Sequence, residues 1–570
     1  MKRVPGAGPG RGRRASDVAA VHSRIGTIFG LFFILLVLAA GRTAYLGVVR
    51  GAPLRKAAST QQVTDETVIA QRGTISDRNG VDLAVSEPAK DLSADPYLLK
   101  DPLGAAQRLA PILGQTQASI LRKLSQRTGF VYLARAVPAK QAQAVLALKL
   151  PGIAGTDVMR RVYPRGTLAA QALGFVGTEN KGLSGLEYAR DSLLRGKAGQ
   201  RRVVSDAIGQ PVSITESHQV VPGEPLKLTL DANIQQRTED VLGAVARDFN
   251  PKDATAIVMD PRTGALLAVA NWPQANSNDP GASPVADLQD RAVGFAYEPG
   301  STFKAFTVSG ALQQGLITPD TGFNIPDLIQ VADRTIHDDT EHGEETLTTS
   351  QILARSSNVG AIKIGKLLGA AHFNEWVHRF GFGSRTGVDL SGEEQGVTLP
   401  LSHYSGSSMG NLPIGQGELV TPMQMASAYS AIANGGILRR PHLVSEIGGV
   451  RQPLPTGRRV ISTATSAALR HMLEGVLAPG GTASEVSIPG YQLAGKTGTA
   501  SKIDKATGEY SKSAYVASFI GFAPAANPSL LCAVVVDEPQ SGSIFGGTVA
   551  APAFGQIMSF ALPYLGIPPG

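Results

Sequence analysis

The pattern of apolar and polar positions separates one long apolar segment from a series of shorter helices and strands. Residues Ile25 to Gly41 form an uncharged run near the N-terminus, and apolar residues resume after Arg42. As a helix this run spans about 26 Å, close to the thickness of the hydrocarbon layer of a bilayer. The pattern therefore predicts a transmembrane helix over residues 24–46.

The charges before this run indicate how the helix is oriented. The first 24 residues contain six Lys and Arg and a single acid, Asp17, and positive flanks usually stay in the cytoplasm. We therefore expect a disordered cytoplasmic tail over 1–23 and a single-pass protein of the plasma (inner) membrane with its bulk outside the cytoplasm. A cleaved signal peptide is the alternative, because Leu38-Ala39-Ala40-Gly41 resembles a cleavage site, but the apolar run is slightly long for a signal.

Alternating runs after the membrane segment predict two further regions. A hairpin signal around Asn79-Gly80 falls in the first region, a pedestal or dimerisation-like domain over 47–222. A Pro-Gly linker then precedes the second region, over 223–570. Its predicted elements are a helix over Ile234 to Phe249, a hairpin through Asp260 to Gly264, strands over Ala514 to Phe522 and Leu530 to Val536, and a helix over Phe554 to Leu562. A helical middle between flanking strands predicts an α+β domain, an antiparallel sheet covered by helices with a helical subdomain.

Composition excludes several classes of function. The net charge of +7 is concentrated in the N-terminal tail, so no basic groove for nucleic acid is expected. The single cysteine, Cys532, cannot form an internal disulfide and is expected to be a buried strand residue. No Cys/His spacing suggests a metal site, and no cofactor is predicted.

Three short motifs in one order carry the candidate chemistry. They are Ser301-Thr302-Phe303-Lys304, Ser356-Ser357-Asn358 and Lys496-Thr497-Gly498-Thr499. Each is weak evidence alone, since a serine three residues before a lysine also caps ordinary helices. In this order, with long separations, they match the active-serine machinery that penicillin acylates.

The first motif places a nucleophile beside a base. A spacing of three puts the Lys304 amine on the same helical face as the Ser301 hydroxyl. A lysine can take the serine proton only if its pKa is lowered, and burial together with the charge of Lys496 would lower it. The backbone N–H of Ser301, at the N-terminus of a helix, would point at a developing oxyanion.

The second motif is expected to relay a proton and to hold the base. Ser356 would relay a proton to the leaving group, and Asn358 would hold Lys304 and the substrate amide by hydrogen bonds.

The third motif is expected to bind substrate on an edge strand. Lys496 and Thr497 would bind a terminal carboxylate. Gly498 would allow close approach, and the Thr499 N–H would complete the oxyanion hole.

With these motifs the chain resembles the class B penicillin-binding proteins, membrane-anchored peptidoglycan D,D-transpeptidases, and most of all their division-associated (septal, FtsI-type) branch. The resemblance extends from the anchor to the C-terminus and includes Arg72-Gly73, Asp77-Arg78-Asn79-Gly80, Gly185-Leu186-Glu187, Asp260-Pro261, Glu298-Pro299-Gly300, Gly415-Gln416-Gly417, Thr421-Pro422, Phe519 to Pro524, Gly546-Gly547-Thr548 and Ala551-Pro552. Asn358 favours the division branch, because the elongation branch commonly carries Asp at that place.

The resemblance implies a two-step acyl transfer without a cofactor. Ser301 would attack the penultimate D-alanine carbonyl of a D-Ala-D-Ala stem pentapeptide, and an amine of a neighbouring stem peptide would then resolve the acyl-enzyme. A β-lactam would trap Ser301 as a stable ester. The implied protein partners are a polytopic glycan polymerase and other division proteins.

Four other functions stay open at this point. A class A β-lactamase shares the motifs but needs a deacylating Glu in an E-x-x-L-N-like segment, and Glu418 is followed by a different sequence. A D,D-carboxypeptidase would use water as acceptor. An elongation-type transpeptidase would do the same chemistry elsewhere in the wall. A non-catalytic membrane scaffold or penicillin sensor would be expected to lack the nucleophile or the lysine, and both are present.

A second cluster of candidate residues precedes Ser356. Its members are His337, Asp338, Asp339, Glu341 and His342, whose spacing superficially resembles a metal site. Consecutive acids in a loop are more often solvated, so we favour that interpretation over metal binding. A place on the acceptor side of the catalytic site is a separate hypothesis for this segment.

Overall fold

The computed structural model describes residues 13–52, 63–205, 211–504 and 506–569. The described residues form two compact units. The first unit comes from Met1–Ile69 and Ala198–Val220, and the second from Ala70–Lys197 and Val221–Gly570. Residues 1–12 of the predicted tail lie outside the described residues.

The first unit begins with a long apolar helix. The helix Arg13–Ala44 continues into a π-helical turn, Tyr45–Val49. Among the described residues, His22–Val49 is the one helical stretch long and apolar enough to cross a membrane, with a mean hydropathy of 2.1. Its large apolar side chains are exposed, Phe29 to 73%, which is unfavourable in water but favourable in lipid. The predicted apolar helix is confirmed, although it starts at Arg13, so residues 13–23 are helical.

The first unit also contains a small antiparallel sheet. Its strands, in spatial order, are Val63–Val68, Gly199–Ser205 and Pro211–His218.

The second unit contains a sheet that crosses the predicted division at residues 222 and 223. Its strands, in spatial order, are Val450–Arg451, Val444–Ile447, Leu226–Leu228, Ile75–Ser76, Asp82–Ala94 and Val131–Pro138, with Ile153–Val162 also paired to Asp82–Ala94. Ile75 pairs in parallel with Leu226. Main-chain hydrogen bonds therefore join the predicted pedestal region to the start of the second region, and the predicted division stays a proposal.

The hairpin predicted at Asn79-Gly80 is present. Ile75 pairs with Ala84 across it. Gly80 has a φ of +87°, a conformation that glycine adopts without steric cost and that tight turns of this kind require.

A buried ion network lies beside this hairpin. Arg72 donates through Nη1 to Asp191 Oδ1 at 2.7 Å and forms an ion pair with Glu187, both side chains of that pair being fully buried. Arg161 donates through Nε to the other oxygen of Glu187 at 2.6 Å. Two buried guanidinium groups thus share the carboxylate of Glu187, and Arg72 has Asp191 as a second charged partner.

The three sequence motifs lie around a five-stranded antiparallel sheet. Its strands, in spatial order, are Leu266–Trp272, Asp253–Met259, Leu530–Asp537, Tyr510–Ala523 and Ala494–Ile503. In the strand Leu530–Asp537, Leu531 and Val535 belong to one core, whereas Cys532 and Val534 belong to the other. Because successive strand residues point to opposite faces, this alternation shows that both faces of the sheet are buried.

Helices cover the two faces and form the predicted helical subdomain. Ala232–Phe249 and Gly546–Tyr564 pack on one face, and Pro422–Ala433 packs on the other. The helical subdomain is built from Lys304–Gln313, Thr349–Arg355, Asn358–Leu368 and Ala370–Arg379. The α+β fold is confirmed, as is the burial of Cys532.

The remaining elements complete the second unit. The other α-helices are Pro102–Leu113, Gln117–Leu124, Ala139–Leu146, Ala170–Leu173, Gly185–Ala189, Asp191–Leu194, Arg291–Gly294, Ser408–Asn411 and Thr463–Glu474. The other short strands are Gly322–Ile325, Leu328–Val331, Arg334–His337, Glu345–Thr348, Ile437–Leu438 and Arg458–Arg459.

Candidate active site

Ser301 lies on a tight turn immediately before a buried helix. The turn is a 3₁₀ segment, Gly300–Phe303, and the α-helix begins at Lys304. Gly300 has a φ of +54° and donates its N–H to Gly415 O at 3.0 Å. Ser301 is partly exposed while its three successors are buried. The turn therefore leaves Ser301 accessible on a backbone that its neighbours hold in place.

Hydrogen bonds from two side chains hold this turn in place. Thr302 Oγ1 donates to Pro299 O at 2.7 Å, and Tyr429 OH donates to Thr302 O at 2.6 Å. Tyr429 is fully buried in the helix Pro422–Ala433. No local motif in the sequence marks Tyr429, because its role depends on the packing of two helices that are distant in the chain.

Lys304 is a fully buried lysine whose ammonium group faces the second motif. Its Nζ donates to Asn358 Oδ1 at 2.6 Å, to Ser356 O at 2.5 Å and to Ser356 Oγ at 3.3 Å. Burial lowers the pKa of Lys304 to about 8, and the charges of Asp339 and Asp338 oppose this shift. A lysine with this pKa can exchange a proton near neutral pH, which an exposed lysine cannot do.

The second motif lies at the break between two consecutive helices. The helix Thr349–Arg355 ends at Ser356, which takes the left-handed conformation with a φ of +64°. Ser357 then caps the helix Asn358–Leu368, its Oγ accepting from Gly360 N at 2.9 Å. This break points both the carbonyl and hydroxyl groups of Ser356, and the amide of Asn358, at Lys304.

The third motif lies on the edge strand of the five-stranded sheet, as predicted. Lys496 pairs with Ile520 in the strand Ala494–Ile503. Its side chain is fully buried, and Nζ donates to Thr497 O at 3.1 Å and Thr497 Oγ1 at 3.3 Å. Burial, reinforced by the positive charge of Lys304, holds the pKa of Lys496 well below its usual range, and Asp339 opposes the shift.

Gly498 brings this strand against the turn that carries Ser301. A Cβ at position 498 would lie 2.9 Å from Thr302 Cγ2, 3.0 Å from Pro299 O and 2.5 Å from Ser518 Oγ. A Cβ at Gly300 would likewise lie 3.1 Å from Thr499 O. The absence of a side chain at Gly498 thus lets the strand lie close to the turn that carries Ser301, while the close approach of substrate stays a prediction.

Hydroxyl groups of the third motif make further contacts. Thr497 Oγ1 lies 2.7 Å from Thr482 Oγ1, and Thr499 Oγ1 accepts from Gly546 N at 3.1 Å. Thr482 was missed by sequence reasoning, because it lies in a loop without a motif. Gly546 belongs to a segment that the resemblance had marked.

The structure brings the eight predicted site residues into one region of the second unit. They are Ser301, Lys304, Ser356, Asn358, Lys496, Thr497, Gly498 and Thr499. A cavity of about 320 Å³ adjoins Ser356 and is lined by Asp338, Asp339, Glu345 and Thr482 among others.

The cluster before Ser356 is organised by hydrogen bonds to the second motif. Asp338 accepts from Ser357 Oγ at 2.7 Å and from Val359 N at 2.9 Å. Within the described parts of the chain, no group of three or more His, Cys, Asp or Glu side chains is arranged to hold a metal ion. The sequence marked these residues but did not reveal that Asp338 and Asp339 accept hydrogen bonds from residues 357–359.

Two known protein-domain families match most of the chain. The penicillin binding protein transpeptidase domain matches residues 254–559, and the penicillin-binding protein dimerisation domain matches residues 67–228.

Two relatives are similar over almost the entire chain. Penicillin-binding protein PbpB of Mycobacterium tuberculosis is 33% identical over 601 residues, covering 98% of this chain and 88% of the relative. Peptidoglycan D,D-transpeptidase FtsI of Escherichia coli is 33% identical over 567 residues, covering 98% of this chain and 94% of the relative.

Solved structures agree with these matches. The apo form of penicillin binding protein 3 from M. tuberculosis superposes with a TM-score of 0.70 at 30% identity, covering 89% of this chain and 98% of that one. The same protein complexed with ampicillin superposes with a TM-score of 0.70 at 29% identity, covering 89% and 97%.

Proposed function

Because this chain belongs to the class B penicillin-binding proteins and is similar to their FtsI-like members, we propose that it is a peptidoglycan D,D-transpeptidase that cross-links stem peptides during septal cell-wall synthesis. The reaction proceeds through a serine acyl-enzyme on Ser301. The observation that carries this proposal is the buried Lys304, which has a pKa of about 8 and is held by the second motif.

In the first step Lys304 accepts the proton of Ser301, whose oxygen attacks the carbonyl of the penultimate D-alanine of a stem pentapeptide. Backbone N–H groups of Ser301 and Thr499 stabilise the oxyanion. The terminal D-alanine leaves with a proton relayed through Ser356. Before the terminal D-alanine leaves, Lys496 and Thr497 bind its carboxylate. This end of the site is therefore selective for substrates with an anionic terminus.

In the second step an amine of another stem peptide attacks the ester. Ser356 relays the proton of the amine to Lys304, which returns it to the Ser301 oxygen as the ester bond breaks and the new amide bond forms. A β-lactam enters the first step in the same way and leaves a stable ester on Ser301. Water as acceptor gives a D,D-carboxypeptidase side activity.

Glu418 does not resemble the deacylating base of a β-lactamase. Its carboxyl group is fully buried, both oxygens lack hydrogen-bond partners, and burial raises its pKa to about 8. A neutral carboxylic acid is a poor base for activating water near neutral pH, so a long-lived acyl-enzyme is expected.

The apolar helix supports a proposed location at the plasma membrane. The proposal places His22–Val49 across the plasma membrane, with the N-terminal residues in the cytoplasm and the second unit outside. A polytopic glycan polymerase and other division proteins are the proposed partners, because a cross-linking enzyme needs newly made glycan beside it. Scaffolding through the apolar helix and the region that follows it is an additional role.

Covalent labelling by a fluorescent penicillin tests the proposal. We expect the full-length protein to be labelled and the Ser301→Ala variant to remain unlabelled with an unchanged circular dichroism spectrum, because that variant lacks the attacking oxygen. Slow loss of the label separates a transpeptidase from a β-lactamase. A folded parent protein that takes no label would contradict the proposal and favour the scaffold or sensor function.

A further inference from the structure

A loop after the strand Arg334–His337 encloses the amide of Asn358. Asn358 Nδ2 donates to His337 O at 2.9 Å and to Asp339 Oδ1 at 3.2 Å. The amide oxygen accepts from Lys304 Nζ at 2.6 Å. Both amide hydrogens therefore have acceptors in the loop, which determines the end of the amide that faces Lys304.

The neighbouring Asp338 attaches this loop to the helix that begins at Asn358. Its Oδ1 accepts from Val359 N at 2.9 Å, and its Oδ2 accepts from Ser357 Oγ at 2.7 Å and His342 Nε2 at 3.1 Å. A carboxylate is stabilised at a helix N-terminus by the free N–H groups there. Asp338 is thus occupied by the helix and by His342, whereas Asp339 is directed at Asn358.

Asp339 also carries the charge that acts on both buried lysines. The charges of Asp339 and Asp338 oppose the lowering of the Lys304 pKa by burial, and the charge of Asp339 opposes the lowering of the Lys496 pKa. The positive charge of Lys304 lowers the pKa of Lys496 further, after the larger effect of burial. A carboxylate within reach of both reduces the cost of holding two cations in a buried site.

We propose that Asp339 is a positioning residue for the acyl transfer, whose carboxylate holds the Asn358 amide with its oxygen on Lys304 and keeps a negative charge beside both buried lysines. This inference rests on the proposed function, because it takes Lys304 as the base for Ser301. Asp339 does not itself touch the reacting atoms.

The two roles of Asp339 predict different effects for two substitutions. Asp339→Asn keeps an oxygen that can accept from Asn358 but removes the charge. Asp339→Ala removes both. Because the Asp339 charge raises the pKa of Lys304 against the larger effect of burial, losing that charge lowers this pKa further. Lys304 acts as a base when neutral, so the rise of the acylation rate with pH moves to lower pH.

The experiment measures the second-order rate constant for acylation of the full-length protein by a fluorescent penicillin, from about pH 6 to about pH 10. The matched control is Glu341→Gln, which removes one negative charge from the same loop at an exposed side chain. Thermal unfolding of each variant checks that its fold is intact.

We expect Asp339→Asn to be acylated about threefold faster than the parent near pH 6.5 and no faster at the alkaline plateau. We expect Asp339→Ala to be slower at the plateau by about tenfold, because His337 O alone then holds the Asn358 amide nitrogen and the amide oxygen is less firmly kept on Lys304. Glu341→Gln should follow the parent at every pH.

Two results would overturn the proposal. One is a profile of Asp339→Asn that coincides with those of the parent and of Glu341→Gln. The other is a plateau rate for folded Asp339→Ala within about twofold of the parent. A parent protein that is never acylated would instead remove the proposed function on which the inference rests, so the two failures can be told apart.

Discussion

Burial of two lysine side chains sets the chemistry of the site at the scale of single residues. Lys304 and Lys496 are both 0% exposed, and a lysine is rarely placed in such surroundings without a partner. Each is surrounded by hydrogen-bond acceptors of the second or third motif. The same burial that is unfavourable for the charged form makes the neutral amine available as a base.

The pH dependence of acylation is the first prediction at this scale. Lys304 has a pKa lowered to about 8 by burial, and the amine accepts the Ser301 proton only when it is neutral. The acylation rate should therefore rise as pH increases through about 8 and then level off. Stopped-flow measurement of penicillin acylation across pH checks this, and a rate independent of pH over that range would contradict the role of Lys304.

Removing the lysine is the second prediction. Lys304→Ala should slow acylation by about a thousandfold or more, because the proton acceptor is lost while Ser301 remains. The matched control is Lys366→Ala, an exposed lysine on the helix Asn358–Leu368, which should acylate at the parent rate. Near-normal acylation in Lys304→Ala would rule it out as the base.

At the scale of elements, the site forms where a strand, a turn and a helix break meet. The strand Ala494–Ile503 approaches the Gly300–Phe303 turn at Gly498. The break between Thr349–Arg355 and Asn358–Leu368 supplies the acceptors of Lys304. Displacing any one of these elements should therefore lower activity even when the catalytic side chains are unchanged.

The substitution Gly498→Ala tests the contact between strand and turn. The added Cβ would lie less than 3.0 Å from Ser518 Oγ and Thr302 Cγ2, so the strand or the turn must move. We expect acylation to fall by about a hundredfold, since a displacement of about 1 Å at reacting groups has effects of this size.

The control for this variant is Gly322→Ala, a strand glycine whose added Cβ would meet Thr346 Cγ2 at an ordinary 3.5 Å. It should change neither acylation nor stability appreciably. Acylation of Gly498→Ala at the parent rate would show that the strand does not have to approach the turn so closely.

At the scale of the whole molecule, stability depends on contacts that join segments distant in sequence. Arg72 and Arg161 share Glu187, although 115 residues separate Arg72 from Glu187. The sheet that pairs Ile75 with Leu226 runs through the same part of the second unit. Main-chain hydrogen bonds of this sheet join the segment before residue 222 to the segment after it, and the ion network ties together distant parts of the segment before residue 222.

The substitution Glu187→Ala tests this network. It leaves two buried guanidinium groups without their shared carboxylate, and we expect a loss of about 3–5 kcal/mol in the free energy of unfolding. Urea denaturation measures the loss. The control Asp157→Ala removes a carboxylate that pairs with Lys90 while 83% exposed, and should cost less than about 1 kcal/mol. Equal stability of the two variants would contradict the importance of the buried network.

The sequence by itself determined the local elements and the chemical groups. The apolar run predicted the N-terminal helix, alternation around Asn79-Gly80 predicted a hairpin, and three motifs named the eight site residues. The helix and hairpin predictions succeed because helix, strand and turn preferences depend on near neighbours in the chain, whereas the roles of the site residues stay predictions. The start of the helix at Arg13 was missed, because polar residues can extend a helix that an apolar segment has already nucleated.

Only the tertiary structure decided what surrounds those groups. Lys304 and Ser356 are 52 residues apart, and their hydrogen bonds depend on how the helices of the subdomain pack. No local sequence pattern predicts three further features. They are the hydrogen-bond acceptors of Asp338 and Asp339, the contact of the Tyr429 hydroxyl, and the sharing of Glu187 by two arginines. Their energetic roles come from burial and from distances across the fold, which depend on how elements far apart in the sequence pack against one another.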